Sequence, residues 1–218
     1  MRIRKKKWAM PELEVCPFFI QDPVQYRGKW STAFAKEAPL YLELGCGKGG
    51  FAGQCAAENE DINLLAIDIK RDMLGVARRN IVKIYEEKGR EINNLLLSAY
   101  NVEHIENIIA PEDKVERIYI NFCNPWPRAK HNKRRHTYPI KLEKYKNFLV
   151  SGAEIRFKTD DLPLFQDSLA YFEKCGYEIT YKTYDLHNSG FEGNILTEHE
   201  IMFSSEGIKI NYCTAVRK

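Results

Sequence analysis

Short apolar runs alternate with longer amphipathic stretches over most of the chain. PLYLELG (39–45) is followed by GGFAGQCAAENE (49–60), INLLAID (62–68) by KRDMLGVARRNIVKIYEEKG (70–89), and VERIYINF (115–122) comes before IKLEKYKNFLV (140–150). Apolar runs bounded by turn residues read as buried strands and the longer periodic stretches read as helices, so the order is β then α, repeated. Further strands are expected at NNLLLSA (93–99), AEIRFKTD (153–160) and YEITYKTYD (177–185), with a closing pair inside EHEIMFSSEGIKINYCTAV (198–216) joined at SSEG as an antiparallel hairpin. The pattern predicts an α/β fold: a mainly parallel sheet covered by helices on both faces, with a C-terminal antiparallel hairpin. Ligands then collect at the carboxyl ends of the strands.

Composition narrows the class. With 218 residues and 44% apolar content, the chain can bury the core of one domain, and residues 1–218 are read as such, with a basic N-terminal arm over about the first 30. The six cysteines are scattered without a CxxC pair, and no signal peptide or long apolar span precedes them. The expectation is a reduced, soluble, cytoplasmic protein with no disulfide framework, no zinc site and no membrane segment. His131, His136, His187 and His199 lack metal-ligand spacing, so no metal is expected and solvated or RNA-contacting roles are assigned to them.

The net charge of +3 is unevenly distributed. Residues 1–7 carry five basic side chains, and residues 117–142 carry seven with no acid, which leaves the remainder net acidic. Such clusters suit a polyanion, because counterion release rewards local density of Lys and Arg; a solvated face is the plainer reading of either run.

YLELGCGKGGF (41–51) runs from a strand through Gly45, Gly47, Gly49 and Gly50 into a helix. The glycines let the backbone turn tightly and approach a ligand, and their spacing fits both a dinucleotide fingerprint and the turn of adenosylmethionine-dependent methyltransferases. Asp68, at the end of the next strand, suits ribose hydroxyls in either case. Glu43 favours the second, since a carboxylate there repels a pyrophosphate and attracts the ammonium and sulfonium of S-adenosylmethionine. Asn101, after the third strand, is placed to read an adenine edge, or serves as an ordinary turn or cap residue.

NFCNPWPRAKHNKRRH (121–136) lies at the carboxyl end of the fourth strand, where an acceptor substrate belongs. Pro125 and Pro127 stiffen the chain around Asn124 and Trp126, and a rigid indole beside an amide suits a flat base, though Trp126 also reads as a core filler. Arg128, Lys130, Lys133, Arg134 and Arg135, with His131 and Asn132 among them, are the candidate RNA contacts.

On these residues the chain resembles the bacterial tRNA (guanine-N7)-methyltransferases, whose pattern has ELGxGxG, FxDPWPKxRHxKRR, KTD and TxxE. The counterparts are ELGCGKG (43–49), NFCNPWPRAKHNKRR (121–135), FKTD (157–160) and LHNSGFEGNILTEHE (186–200), with the basic start RIRKKKWA. The resemblance implies a Rossmann-like class I S-adenosylmethionine-dependent methyltransferase fold and methyl transfer to N7 of guanine at position 46 of the tRNA variable loop, by a monomer or homodimer. It further implies cofactor contacts at Glu43, Gly45, Gly47, Gly49, Asp68, Asn101 and Asn124, with Asn124 as the catalytic position. Guanine-site contacts fall on Arg128, Asp160 and Thr197 to Glu200, which include Glu198 and His199.

The sequence departs from the family at Asp68, Asn101, Asn124 and Arg128, where the pattern has Glu, Asp, Asp and Lys, and the lost carboxylate at 124 is the serious departure. Guanine N7 carries a lone pair and no proton, so transfer requires positioning rather than a base, and Asn124 is expected to leave a reduced activity. Two other readings stay open on residues alone: a tRNA-binding relative without catalysis, and an exocyclic-amine methyltransferase using NPWP. Asp160 also reads as a helix cap near Leu162, and Glu200 as a surface strand residue.

Overall fold

The computed structural model describes residues 6–218, so Arg2, Arg4 and Lys5 of the basic start lie outside the described residues. In chain order the elements are α1 (Ala9–Glu14), β1 (Phe19–Ile20), β2 (Leu40–Leu44), α2 (Gly50–Glu58), β3 (Asn63–Asp68), α3 (Arg71–Glu87), β4 (Leu95–Ala99), β5 (Val115–Asn121), α4 (Pro139–Lys146), β6 (Leu149–Thr159), α5 (Leu162–Lys174), β7 (Tyr177–Thr183), α6 (Glu198–Ser205) and β8 (Asn211–Arg217). The sheet order is β1-β4-β3-β2-β5-β6-β8-β7. The first six positions run parallel, and β8 runs antiparallel to both of its neighbours.

Leu64 and Leu65 point to opposite faces of β3, and both are fully buried, as are Leu42 and Leu44 on β2 and Ile118 and Ile120 on β5. Burial on both faces explains why these strands read as continuous apolar runs. The strand order reverses direction between β2 and β5, which places a crevice at their carboxyl ends. The glycine turn follows β2 and the Asn124 loop follows β5 at this crevice, with Asp68, Asn101 and Asp160 at the carboxyl ends of β3, β4 and β6.

The expected closing hairpin is not formed. Residues 198–205 are helical: Thr197 Oγ1 accepts Glu200 N–H at 3.0 Å and Glu200 Oε2 accepts Thr197 N–H at 3.1 Å, a capping box that outweighs the strand-like alternation. SSEG ends this helix, with Gly207 at φ +73° and Ile208 N–H reaching back to Phe203 C=O. β8 instead lies antiparallel between β6 and β7, and β7 is joined to it by a long connection that carries α6.

The N-terminal segment from Trp8 onward is built into the body rather than standing out as an arm. Arg79 lies 3.6 Å over the Trp8 ring, Glu12 pairs with Arg78 and Arg79, and Ala9 packs so tightly on Gly75 that a Cβ there would stand 2.5 Å from it. Trp30 is fully buried and donates from Nε1 to Ile108 C=O at 2.7 Å.

Candidate cofactor and nucleic-acid site

Gly45, Gly47 and Gly49 all have positive φ (+84°, +53° and +71°), which explains the glycine spacing after β2. A Cβ on Gly49 would stand 2.7 Å from Ala77 Cβ, whereas one on Gly47 would meet nothing within 4 Å and one on Gly45 only His136 Nε2 at 3.8 Å. The first two therefore present bare backbone to the crevice, and the third permits close packing of α2 on α3. Asp68 braces the turn: Oδ2 accepts Gly47 N–H at 3.0 Å and Oδ1 accepts Lys70 N–H at 2.8 Å. Asn101 Oδ1 accepts Glu103 N–H at 3.0 Å, a capping role that leaves its Nδ2 for a ligand.

Glu43, on β2 just before the turn, is 2% exposed. Its Oε1 accepts from Asn121 Nδ2 at 3.1 Å, and its Oε2 has no partner. Burial pushes its pKa up to about 7, opposed by the Asn121 hydrogen bond and Lys158 and reinforced by Asp68. A buried carboxylate held in this way is poised for a cation.

Across the crevice, Asn124 is exposed and its Oδ1 accepts Trp126 N–H at 3.1 Å. Phe122 (φ +49°) and Trp126 (φ +45°) flank it in a conformation that costs a bulky residue about 1–3 kcal/mol, so the loop is strained on both sides of the candidate catalytic position. Trp126 is half-buried, with the Arg134 guanidinium 4.9 Å over its ring and His131 edge-on at 5.8 Å. Arg128, Lys130, Lys133 and Arg134 are exposed on and just before the 3₁₀ helix 129–134, whereas Asn132 is half-buried.

Arg135 departs from the expected phosphate contacts. Its side chain is 4% exposed, with Nε on Pro125 C=O at 2.7 Å and a guanidinium nitrogen on Asp167 at 2.5 Å. It holds the Pro125 corner in place from inside. His136, expected at the solvated or RNA-facing surface, turns toward Gly45 with its Nδ1 shielded and unpaired. Burial, with Lys141 adding to it, lowers its pKa to about 4, so the ring is neutral at ordinary pH.

α6 folds back over both strand ends. Glu198 reaches Lys48 of the glycine turn at 2.7 Å, and His199 stacks on Phe122 at 5.5 Å. Thr197 is buried in the capping box. Glu200, expected near a guanine edge or on a surface strand, is fully buried and takes four donors: Lys158 Nζ, Asn194 Nδ2, His187 Nε2 and Thr197 N–H. Burial alone would raise its pKa, and Lys158 with these hydrogen bonds outweighs burial and lowers it. Asp160 is exposed, because the cap of α5 is Asp161, whose Oδ1 accepts Leu164 N–H at 2.7 Å.

A surface cavity of about 210 Å³ lies at the opposite end of the same strands, lined by Tyr41, Arg117 and Glu154 among others. Arg117 pairs there with Glu154 at 2.9 Å and lies over the Tyr41 ring.

A family model described as "Putative methyltransferase" matches residues 37–213. A tRNA (guanine-N(7)-)-methyltransferase of Clostridium beijerinckii is 57% identical over 217 residues, spanning all of this chain and 99% of that relative. The chain belongs to this family. Its counterpart in Acetivibrio thermocellus is 49% identical, with both chains covered in full. Among solved structures, the 16S rRNA methyltransferase KamB aligns with a TM-score of 0.60 over 87% of this chain and 93% of that one, at 14% identity. A precorrin-6y C5,15-methyltransferase of Geobacter metallireducens gives 0.54 over 99% and 90%, at 13% identity. These likenesses agree with the Rossmann-like class I methyltransferase fold.

Within the family frame, the structure adds residues that the motifs did not single out. Asn121 is the hydrogen-bond partner of Glu43, Lys158 is the partner of Glu200, and Phe122 is the surface on which His199 stacks. Period-two alternation places Asn121 and Tyr119 on one face of β5, which was a readable signal. Among the described residues no helix is long and apolar enough to cross a membrane, and no group of three or more His, Cys, Asp or Glu could hold a metal.

Proposed function

We propose that this chain methylates N7 of a guanine in tRNA, with S-adenosylmethionine as donor and the position-46 guanine of the variable loop as target. The observation that carries the reading is the buried Glu43 carboxylate, with one oxygen unpartnered, beside a glycine turn whose backbone is bare. That is an environment for a cationic ligand and a poor one for a pyrophosphate. The residues present therefore fit the donor.

The donor supplies an electrophilic methyl carbon on a sulfonium; the chain's own residues supply position. Glu43 would hold the amino-acid end, Asp68 would take ribose hydroxyls on lone pairs its backbone contacts leave free, and Asn101 would offer Nδ2 to the adenine. Guanine N7 has no proton to lose, so no residue is needed as a base. Asn124 orients the acceptor with Nδ2, and Asp160 is the free carboxylate for the guanine N1–H and N2–H donors. Arg128, Lys130, Lys133 and Arg134 take the neighbouring phosphates. Glu200 and Thr197 act by fixing α6 over the crevice. A site of this chemistry belongs with cytoplasmic tRNA.

Incubation with labelled S-adenosylmethionine and unmodified tRNA, followed by digestion to nucleosides, tests the reading. It predicts 7-methylguanosine. An alkylated exocyclic amine, or no methyl incorporation, contradicts it.

A further inference from the structure

Glu43 and Asn121 stand on adjacent strands, and each carries a side-chain oxygen that nothing in the protein meets. Asn121 Nδ2 donates to Glu43 Oε1, which sets the amide's orientation. Glu43 Oε2 and Asn121 Oδ1 are then left shielded from solvent without a donor. Leaving such groups unmet costs about 1–3 kcal/mol apiece and more for a charge, so two of them joined by a hydrogen bond mark a place where a partner is missing.

The protein's own cation cannot fill it. Lys158 is the basic residue whose charge acts on Glu43, and the three hydrogens of its Nζ are taken by Asn194 Oδ1 at 2.7 Å, Ile195 C=O at 2.8 Å and Glu200 Oε2 at 2.9 Å. The other ionisable neighbours, Asp68 and Cys46, have no positive charge to offer. A ligand group that meets both acceptors and also balances the carboxylate's charge is cationic with more than one N–H, which describes a primary ammonium. An amide beside the carboxylate adds the second acceptor without the like-charge repulsion a second carboxylate would bring.

We infer that Asn121 is a binding residue for the donor's α-ammonium group, forming with Glu43 a two-acceptor clamp that selects cofactors ending in an amino-acid head. This rests on the proposed use of S-adenosylmethionine and goes beyond it by assigning a residue and a selectivity. Asn121 holds Glu43 in its rotamer through Nδ2 and meets the ligand through Oδ1.

The test is calorimetric binding to the full chain of two probes. S-adenosylhomocysteine carries the ammonium, and 5′-methylthioadenosine has the same nucleoside and thioether without it. Asn121→Ala is expected to weaken S-adenosylhomocysteine roughly tenfold, the effect of one hydrogen bond to a charged group, and to leave methylthioadenosine unchanged. Retained methylthioadenosine binding also reports an intact fold, and Asn121→Ser gives the same comparison with a small polar side chain should the alanine variant not fold. Equal losses for both probes, or no loss for either, overturn the inference. Wild-type protein that fails to bind S-adenosylhomocysteine removes the proposed function as well, whereas normal wild-type binding with unaltered discrimination in the variants removes the clamp alone.

Discussion

The side-chain oxygen of Asn124 accepts the backbone N–H of Trp126 at 3.1 Å, so the residue at the proposed methyl-transfer position shapes its own loop with one atom and leaves its amide nitrogen for a partner. An aspartate in the same rotamer keeps the turn and turns its second oxygen outward. The atom exchanged is a neutral donor for a charged acceptor.

Positive charge grows on the guanine as N7 is alkylated, and a carboxylate stabilises it where an amide cannot. Asn124→Asp is therefore expected to raise the methylation rate on unmodified tRNA by a factor of about 3–10. Single-turnover kinetics checks this, and a variant no faster than the parent removes the electrostatic role for this side chain.

Folding raises the Glu43 pKa from its ordinary 4.5 to about 7. The native state thus binds more protons than the unfolded state between those values, and stability falls as pH rises through that window. Replacement by an uncharged isostere, Glu43→Gln, should stabilise the chain by about 3 kcal/mol at pH 8, with the advantage fading toward pH 4.5. The same variant should lose affinity for S-adenosylhomocysteine. Urea titrations at both pH values test the first part, and a pH-independent difference contradicts it.

Arg135 and Lys133 are two residues apart in a basic run and do different work. Arg135→Ala should lower stability, because Pro125 C=O and Asp167 lose their partner, while tRNA binding keeps its salt dependence. Lys133→Ala should leave stability alone and reduce the slope of log affinity against log salt by about one. Filter binding across a salt series, paired with thermal melts, separates them.

Lys158→Met would strand Glu200, a fully buried carboxylate, and is expected to cost about 3–5 kcal/mol at neutral pH. The Glu200 pKa lies below 4.5 in the folded chain, so its stabilising contribution is present above 4.5 and is lost as pH falls through the folded value. The gap between variant and parent should narrow in acid. Denaturation at pH 7 and pH 4 gives the comparison.

Much of this was legible in the chain. The β2 to α2 turn, the parallel strands and the basic segment follow from glycine spacing, doubly buried apolar runs and charge density. The signals that failed were those in which two local rules competed. EHEIMF alternates like a strand, yet the threonine preceding it and the glutamate within it form a capping box, and that pair won. Arg135 and His136 look like their solvent-facing neighbours, and only the fold reveals that Asp167 and the Gly45 turn draw them inward. Asp160 and Asp161 are adjacent acids, of which backbone geometry alone selects the second as the cap. The partnership of Glu43 with Asn121 lies between strands that sequence order separates by 78 positions, beyond the reach of any motif.

The most direct measurement is a crystal structure of the chain grown with S-adenosylhomocysteine. The ligand's amine nitrogen should lie within hydrogen-bonding distance of Glu43 Oε2, with its sulfur facing Asn124 across the crevice between β2 and β5. An empty crevice under saturating ligand, or NADH held there in preference to it, would contradict the account.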